Sequence, residues 1–226
     1  MRTVSYRYGV PVLVPDHAVR AAMTGHHLDL WWIPVGAGGH VVVHTSRWWE
    51  SLRALRARRR PRPLFHAALE VTNGPAEYVV EMTRAWGQPL GPRGVVAQGP
   101  VGFTWSGASP FLRYEIRCWR DGIIPDREWA VGPPHRFPLA AEDVGALIGR
   151  IPEAPQLTWG RDVFGIGDMW NSNSLISWLL QSAGIDAAAL APPERGDAPG
   201  WRSGIVAARS PERSGSTGEQ GTAGRP

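Results

Sequence analysis

Two apolar runs, residues 64–71 and 77–83, stand on either side of Thr72-Asn73-Gly74-Pro75-Ala76. Glycine supplies the left-handed conformation that a tight turn demands, and proline has no N–H to give to a ladder. Flanked by Val, Leu, Tyr and Phe, such a segment predicts an antiparallel hairpin. The rest of the fold has to be built around a sheet. The 27 Gly and 21 Pro of the chain favour short elements over a helical bundle. With 226 residues, 43% of them hydrophobic, the chain can bury a core of one domain. The expected class is α+β: an antiparallel sheet packed against a few helices.

Further elements follow from periodicity. Residues 28–35 and 40–44 flank Gly36-Ala37-Gly38-Gly39 and read as a second hairpin. From Ser46 the pattern is helical, crowded with Arg53, Arg56, Arg59 and Arg60 and ended by Pro61 and Pro63. Strands are expected at 94–97, 101–105 and 112–119. An amphipathic helix is expected at 140–151, with Val144, Leu147, Ile148 and Ile151 inward, and a second at 172–183, stopped by Gly184. Residues 1–22 form a poorly defined lead-in, with Met23 as an alternative start. The domain then spans 23–208, and the Ser-, Gly- and Arg-rich tail 209–226 has nothing to bury.

The chain contains no lysine, so its formal charge of +4 and its pI of about 10.0 rest on arginine alone. Few groups titrate between neutrality and arginine, so the pI overstates basicity near pH 7. An arginine-only composition is also what a GC-rich genome produces, which makes nucleic acid an unfavoured partner. Cys118 is the sole cysteine, excluding an internal disulfide and any cysteine zinc site. No secretory signal or membrane span is visible, and a cytoplasmic location is expected.

Chemistry concentrates at Asn171-Ser172-Asn173-Ser174, which opens an apolar helix. A side chain in a helix's first turn lies near free N–H groups and the positive end of the helix dipole, a setting that suits a nucleophile. Asn171 is a good N-cap, and Asn171 or Asn173 could assist an oxyanion. On the strand Phe65-His66-Ala67-Ala68-Leu69-Glu70, alternation sets His66, Ala68 and Glu70 on one face. If the hairpin closes with Thr72 opposite Glu77, Glu81 becomes the diagonal neighbour of His66 and a candidate to orient it. A one-residue change of loop would send Glu81 to the other face.

A histidine opening a hairpin strand, followed later by an apolar helix that begins Asn-Cys-Asn-Ser/Thr, is the pattern of circularly permuted papain-like hydrolases. These include permuted NlpC-like peptidases, deSUMOylating isopeptidase-like proteins and relatives of lecithin:retinol acyltransferase. Residues 64–83 and 168–184 resemble the histidine strand and nucleophile helix of that group, and Glu81 falls where it places a third polar residue. The resemblance implies a papain-like fold in permuted order. It also implies hydrolysis or acyl transfer at an amide or ester without a cofactor, on a small-molecule, peptide or lipid-ester substrate. The chain departs from the pattern at one decisive point: Ser172 stands where those families have cysteine. Ser172 is then either a nucleophile activated by His66, or the mark of a non-catalytic binding module.

Other constellations carry less. Cys118 shares the less polar face of its strand with Tyr114 and Ile116, as inert buried cysteines do. His40 and His44, with His26 and His27 upstream, fall short of the converging ligands a metal needs, and no metal is expected. The arginine-rich helix near Trp48 and Trp49 could touch nucleic acid or a membrane surface, but reads more simply as a solvated face. Trp159 and Trp170, flanking the approach to Ser172, are candidates to line a groove.

Overall fold

The turn at Gly74 and Pro75 closes the first hairpin, with Asn73 opposite Ala76 and Thr72 opposite Glu77, in the register expected. A computed structural model describes residues 4–7, 10–13, 25–36, 55, 58, 60–86, 94–124 and 126–210. The fold is α+β. Strands β1 (Val4–Arg7) and β2 (Val10–Leu13) pair with each other. The main sheet is six-stranded, open and antiparallel. It comprises β3 (His26–Pro34), β4 (Phe65–Asn73), β5 (Ala76–Arg84), β6 (Val95–Pro100), β7 (Arg113–Arg120) and β8 (His135–Pro138), in the order β6-β7-β5-β4-β3-β8.

Alternation along these strands makes two faces. Leu28, Leu30, Trp32, Phe65, Ala67, Leu69, Val80, Met82, Tyr114 and Ile116 point to the main core. Three helices cover it: α1 (Ala141–Arg150), α2 (Ser172–Ser182) and α3 (Trp201–Arg209). From α1 come Val144 and Leu147; from α2, Leu175, Ile176, Leu179 and Leu180; from α3, Trp201 and Ile205. The second face carries Trp31, Ile33, Ala68 and Val79, onto which Ile124 and Ala130 pack.

Helix α2 is more deeply set than a one-faced amphipathic helix, since every residue from Asn173 to Leu180 is buried. Its leucines and isoleucine meet the sheet, while Ser174 and Ser177 meet α3. There the Ser174 hydroxyl donates to the Gly200 carbonyl at 2.7 Å and the Ser177 hydroxyl to the Trp201 carbonyl at 2.8 Å. Backbones can approach this closely because Gly200 and Gly204 present no side chain: a Cβ on Gly204 would collide with the Ser174 carbonyl and the Ser177 hydroxyl.

Several expectations need correction. The strand expected at 101–105 is a single bridge from Val101 to Trp159 followed by a 3-10 turn at Thr104–Ala108. Gly102, at φ 79°, turns the chain off the sheet there. Strands β1 and β8 and helix α3 went unforeseen, β1 lying in the expected poorly defined lead-in. Strand β8 is four residues hemmed by prolines, and α3 begins in a Pro-Gly segment that gives little helical signal. The partner strand proposed for 40–44, the lead-in beyond β1 and β2, most of the arginine-rich helix and the tail from 211 lie outside the described residues. Among the described residues no helix is long and apolar enough to cross a membrane.

The α2–α3 seam makes a definite demand on residue 204. Gly204→Ala is expected to lower stability by about 2–3 kcal/mol, since overpacked backbone contacts relax only by displacement. Urea denaturation read as a change of midpoint at constant slope checks this.

Candidate active site

Strands β4 and β5 stay paired only as far as Leu69 and Val80. Beyond that point β4 runs on to Phe65 with one edge open, and its backbone groups need other partners. Asn173 provides two: its Oδ1 accepts from the Ala67 N–H at 2.8 Å, and its Nδ2 donates to the Phe65 carbonyl at 3.1 Å. Asp197 continues the ladder, its carbonyl accepting from the Phe65 N–H at 2.9 Å and its N–H donating to the Pro63 carbonyl at 2.8 Å. The N-terminus of α2 is thereby sewn to the strand that carries His66.

The neighbouring polar residues have equally definite tasks. Asn171 is the N-cap: its Oδ1 accepts from the N–H groups of Asn173 at 2.9 Å and Ser174 at 3.3 Å, and its Nδ2 donates to the Pro199 carbonyl at 2.8 Å. Ser174 Oγ completes the capping box by accepting from the Asn171 N–H at 2.9 Å. Asn173 Nδ2 also donates to the Pro199 carbonyl at 2.9 Å. Both carboxamides are thus consumed in structure, Asn171 in capping the helix and Asn173 in bridging it to β4 and Pro199.

Ser172 is left for something else. Its Oγ lies 3.1 Å from Nδ1 of His66. The Asn173 and Ser174 N–H groups are taken by Asn171, whereas no described residue accepts the Ser172 N–H. That donor stands beside the hydroxyl at the positive end of α2. His66 is half-buried, and burial pushes the ring's pKa below its usual 6.5, with the negative charge of Asp126 acting in opposition. His66 is accordingly neutral at physiological pH and able to accept a proton.

Glu81 lies on the His66 face, since its neighbour Val80 faces the main core with Leu69. Its carboxylate, however, is engaged by Arg117, whose Nη1 donates to Oε1 at 3.1 Å. Arg117, 3% exposed, also binds Glu115 through Nε at 3.0 Å and Nη2 at 2.7 Å. A buried guanidinium is a stronger claimant for a carboxylate than a neutral imidazole, which corrects the expected pairing of Glu81 with His66.

Trp170 is fully buried in the core and lines no groove; Trp159 is partly buried, edge-on to Tyr114 at 5.7 Å between ring centroids. Exposed aromatics at this end of the sheet include Trp86 (46% exposed), just past β5, and Phe103 (51%), Trp105 (73%) and Phe111 (71%), beyond β6 and before β7. Burial pushes the Cys118 thiol up to about 11, so it is a poor nucleophile. Among the described residues no group of three or more His, Cys, Asp and Glu could hold a metal ion; His40 and His44 lie outside them.

Asp168 is a structural residue that sequence reasoning missed. Its Oδ1 accepts from the Gly200 N–H at 2.7 Å and the Met169 N–H at 3.1 Å, and its Oδ2 from the Arg202 N–H at 3.0 Å. A carboxylate from the α2 approach thus caps α3 across the chain. Its only signal in sequence was position, a short way before the Asn-Ser cluster.

Comparison with known protein families, characterised proteins and solved structures finds no match to this chain.

Two outcomes follow from this geometry. Asn173→Ala leaves the Ala67 N–H and Phe65 carbonyl without their partner and is expected to cost about 3 kcal/mol, measured by denaturant titration. For His66 the folded pKa lies below the unfolded one, so the unfolded chain takes up the proton first as pH falls. Its contribution to stability is complete above the usual 6.5 and declines as pH drops toward the folded value. His66→Gln should flatten that part of the stability–pH curve.

Proposed function

We propose that this chain is an amide or ester hydrolase, or an acyltransferase, of circularly permuted papain-like type in which serine replaces the nucleophilic cysteine. One observation carries the reading: Ser172 Oγ, in the first turn of α2, lies 3.1 Å from His66 Nδ1. The elimination of Asn171, Asn173 and Ser174 as structural side chains supports it.

In this reading the Ser172 hydroxyl attacks a carbonyl carbon while its proton passes to His66 Nδ1. A serine hydroxyl is almost wholly protonated near neutrality, so the helix end alone does not activate it as it would a thiol. The neutral, partly desolvated imidazole supplies the base. The tetrahedral oxyanion finds the Ser172 N–H and the α2 dipole. Collapse sends the proton from His66 to the departing amine or alcohol and leaves an acyl ester on Ser172. Water, or an acceptor in the transferase case, then attacks that ester with His66 again as base.

A fluorophosphonate probe should label the wild-type protein at Ser172, as read by peptide mass spectrometry. Ser172→Ala should abolish labelling, and His66→Ala should slow it by about 100-fold or more. Ser172→Cys tests the same geometry by another route. The thiol would sit beside His66 at a helix N-terminus, so iodoacetamide should alkylate it well below pH 8, and His66→Ala should remove that advantage. Wild-type protein that resists the probe while Ser172→Cys alkylates readily would favour a non-catalytic groove on the same fold.

A further inference from the structure

The histidine of such a pair needs its ring held so that Nδ1 faces the hydroxyl unprotonated, leaving the proton on Nε2. With Glu81 committed to Arg117, the group that holds the ring must come from elsewhere. The second face of the sheet is the place to look, since His66 lies there between Ile33, its partner across β3, and Ala68, two residues along β4.

Onto this face pack residues from the segments 121–124 and 126–131. Ile124 is buried against Ile33, Ala68 and Val79. Arg127 donates to Glu70 Oε1 at 2.6 Å and stands over the Trp31 ring at 5.5 Å. The Val131 N–H donates to the Trp32 carbonyl at 3.0 Å, fixing the far end. Asp126 falls between Ile124 and Arg127, both of which touch the residues that surround His66 on its face.

Glu77 lies at the far, turn end of this face, opposite Thr72, and the carboxylates nearer His66 are occupied. Glu70 accepts from Trp31 Nε1 at 2.8 Å as well as from Arg127, Glu81 and Glu115 are bound by Arg117, and Asp29 is gripped by Arg136 at 2.8 and 2.6 Å. Asp126 opens the 3-10 turn Arg127–Trp129 without using its side chain to cap it, and its carboxylate has no hydrogen-bond partner among the described residues. Of the charges on this face, Asp126 is also the one that opposes the effect of burial on His66.

We propose that Asp126 is the positioning carboxylate of His66, oriented toward the Nε2 side of the ring and fixing the tautomer in which Nδ1 faces Ser172. The proposal rests on the Ser172–His66 reading for its catalytic meaning, though the tautomer itself does not. As the Ser172 proton moves to Nδ1, the Nε2 proton stays on the ring, and the Asp126 charge stabilises the imidazolium; no proton passes to Asp126.

The test is ¹⁵N NMR of His66 in the full chain, with probe labelling alongside, in wild type, Asp126→Asn, Asp126→Glu and Glu81→Gln. Asp126→Asn should lower the His66 midpoint and mix its tautomers, and Glu81→Gln should do neither. Fluorophosphonate labelling should slow by about ten- to a hundredfold in Asp126→Asn, with its acid limb moved to lower pH, and recover in part in Asp126→Glu. An unchanged His66 midpoint and tautomer in Asp126→Asn overturns the proposal, as does a larger effect from Glu81→Gln. If wild type resists the probe while Asp126→Asn still shifts the His66 resonances, the positioning role of Asp126 stands and the catalytic reading falls.

Discussion

The open edge of β4 organises this molecule. From Pro63 to Ala67 its backbone is satisfied first by Asp197 and then by the carboxamide of Asn173, until β5 takes over at Leu69. A buried strand edge left without partners is costly for each orphaned group. The chain avoids that cost by inserting the end of a helix where two strands part. Because the carboxamide reproduces the spacing of a peptide group, it fixes α2 against β4 in position and in rotation. The distance between Ser172 and His66 is a by-product of that ladder.

The second consequence is a division of labour within four residues. Asn171 caps, Asn173 bridges to the sheet, and Ser174 closes the capping box and then reaches α3. Each is oriented by at least two bonds, so the turn that carries Ser172 is held on every side but one. A hydroxyl in so constrained a frame loses little further freedom when it engages a partner, which is the condition under which a nucleophile is useful.

Much of this was legible in the sequence where the signal was local. Gly74 and Pro75 fixed the hairpin register, alternation set His66 and Glu81 on one face, and the Asn-Ser cluster marked the start of α2. Illegible features depended on contacts far apart in the chain. The neighbour of Glu81 on β7 is Arg117, and no pattern around residue 81 announces it. Trp170 lies two residues before Ser172 in sequence but points into the core, because the segment that delivers Ser172 must also fill the space behind it. Helix α3 gave little signal of its own, since it opens directly after Pro199-Gly200 and the carboxylate that binds its N-cap Gly200, Asp168, lies 32 residues earlier. Gly102 ended a strand that the apolar pattern of Phe103 and Trp105 would continue.

The fate of Glu81 shows how charge bookkeeping across a sheet decides the roles of residues that share a face. Arg117 and Glu115 are each only 3% exposed. A guanidinium so buried requires negative charge and hydrogen-bond acceptors close by, because desolvation of an ion outweighs a single pairing. Glu81, directly opposite Arg117 across β5 and β7, meets part of that requirement. Turning its carboxylate toward a neutral imidazole would exchange a bond to a cation for a weaker one. Strand register thus brings Glu81 to the correct face while its stronger partner keeps it from His66. In the proposed reading, the carboxylate for His66 comes from outside the strands, from the segment in which Arg127 is already paired with Glu70 while Asp126 is not paired with the sheet.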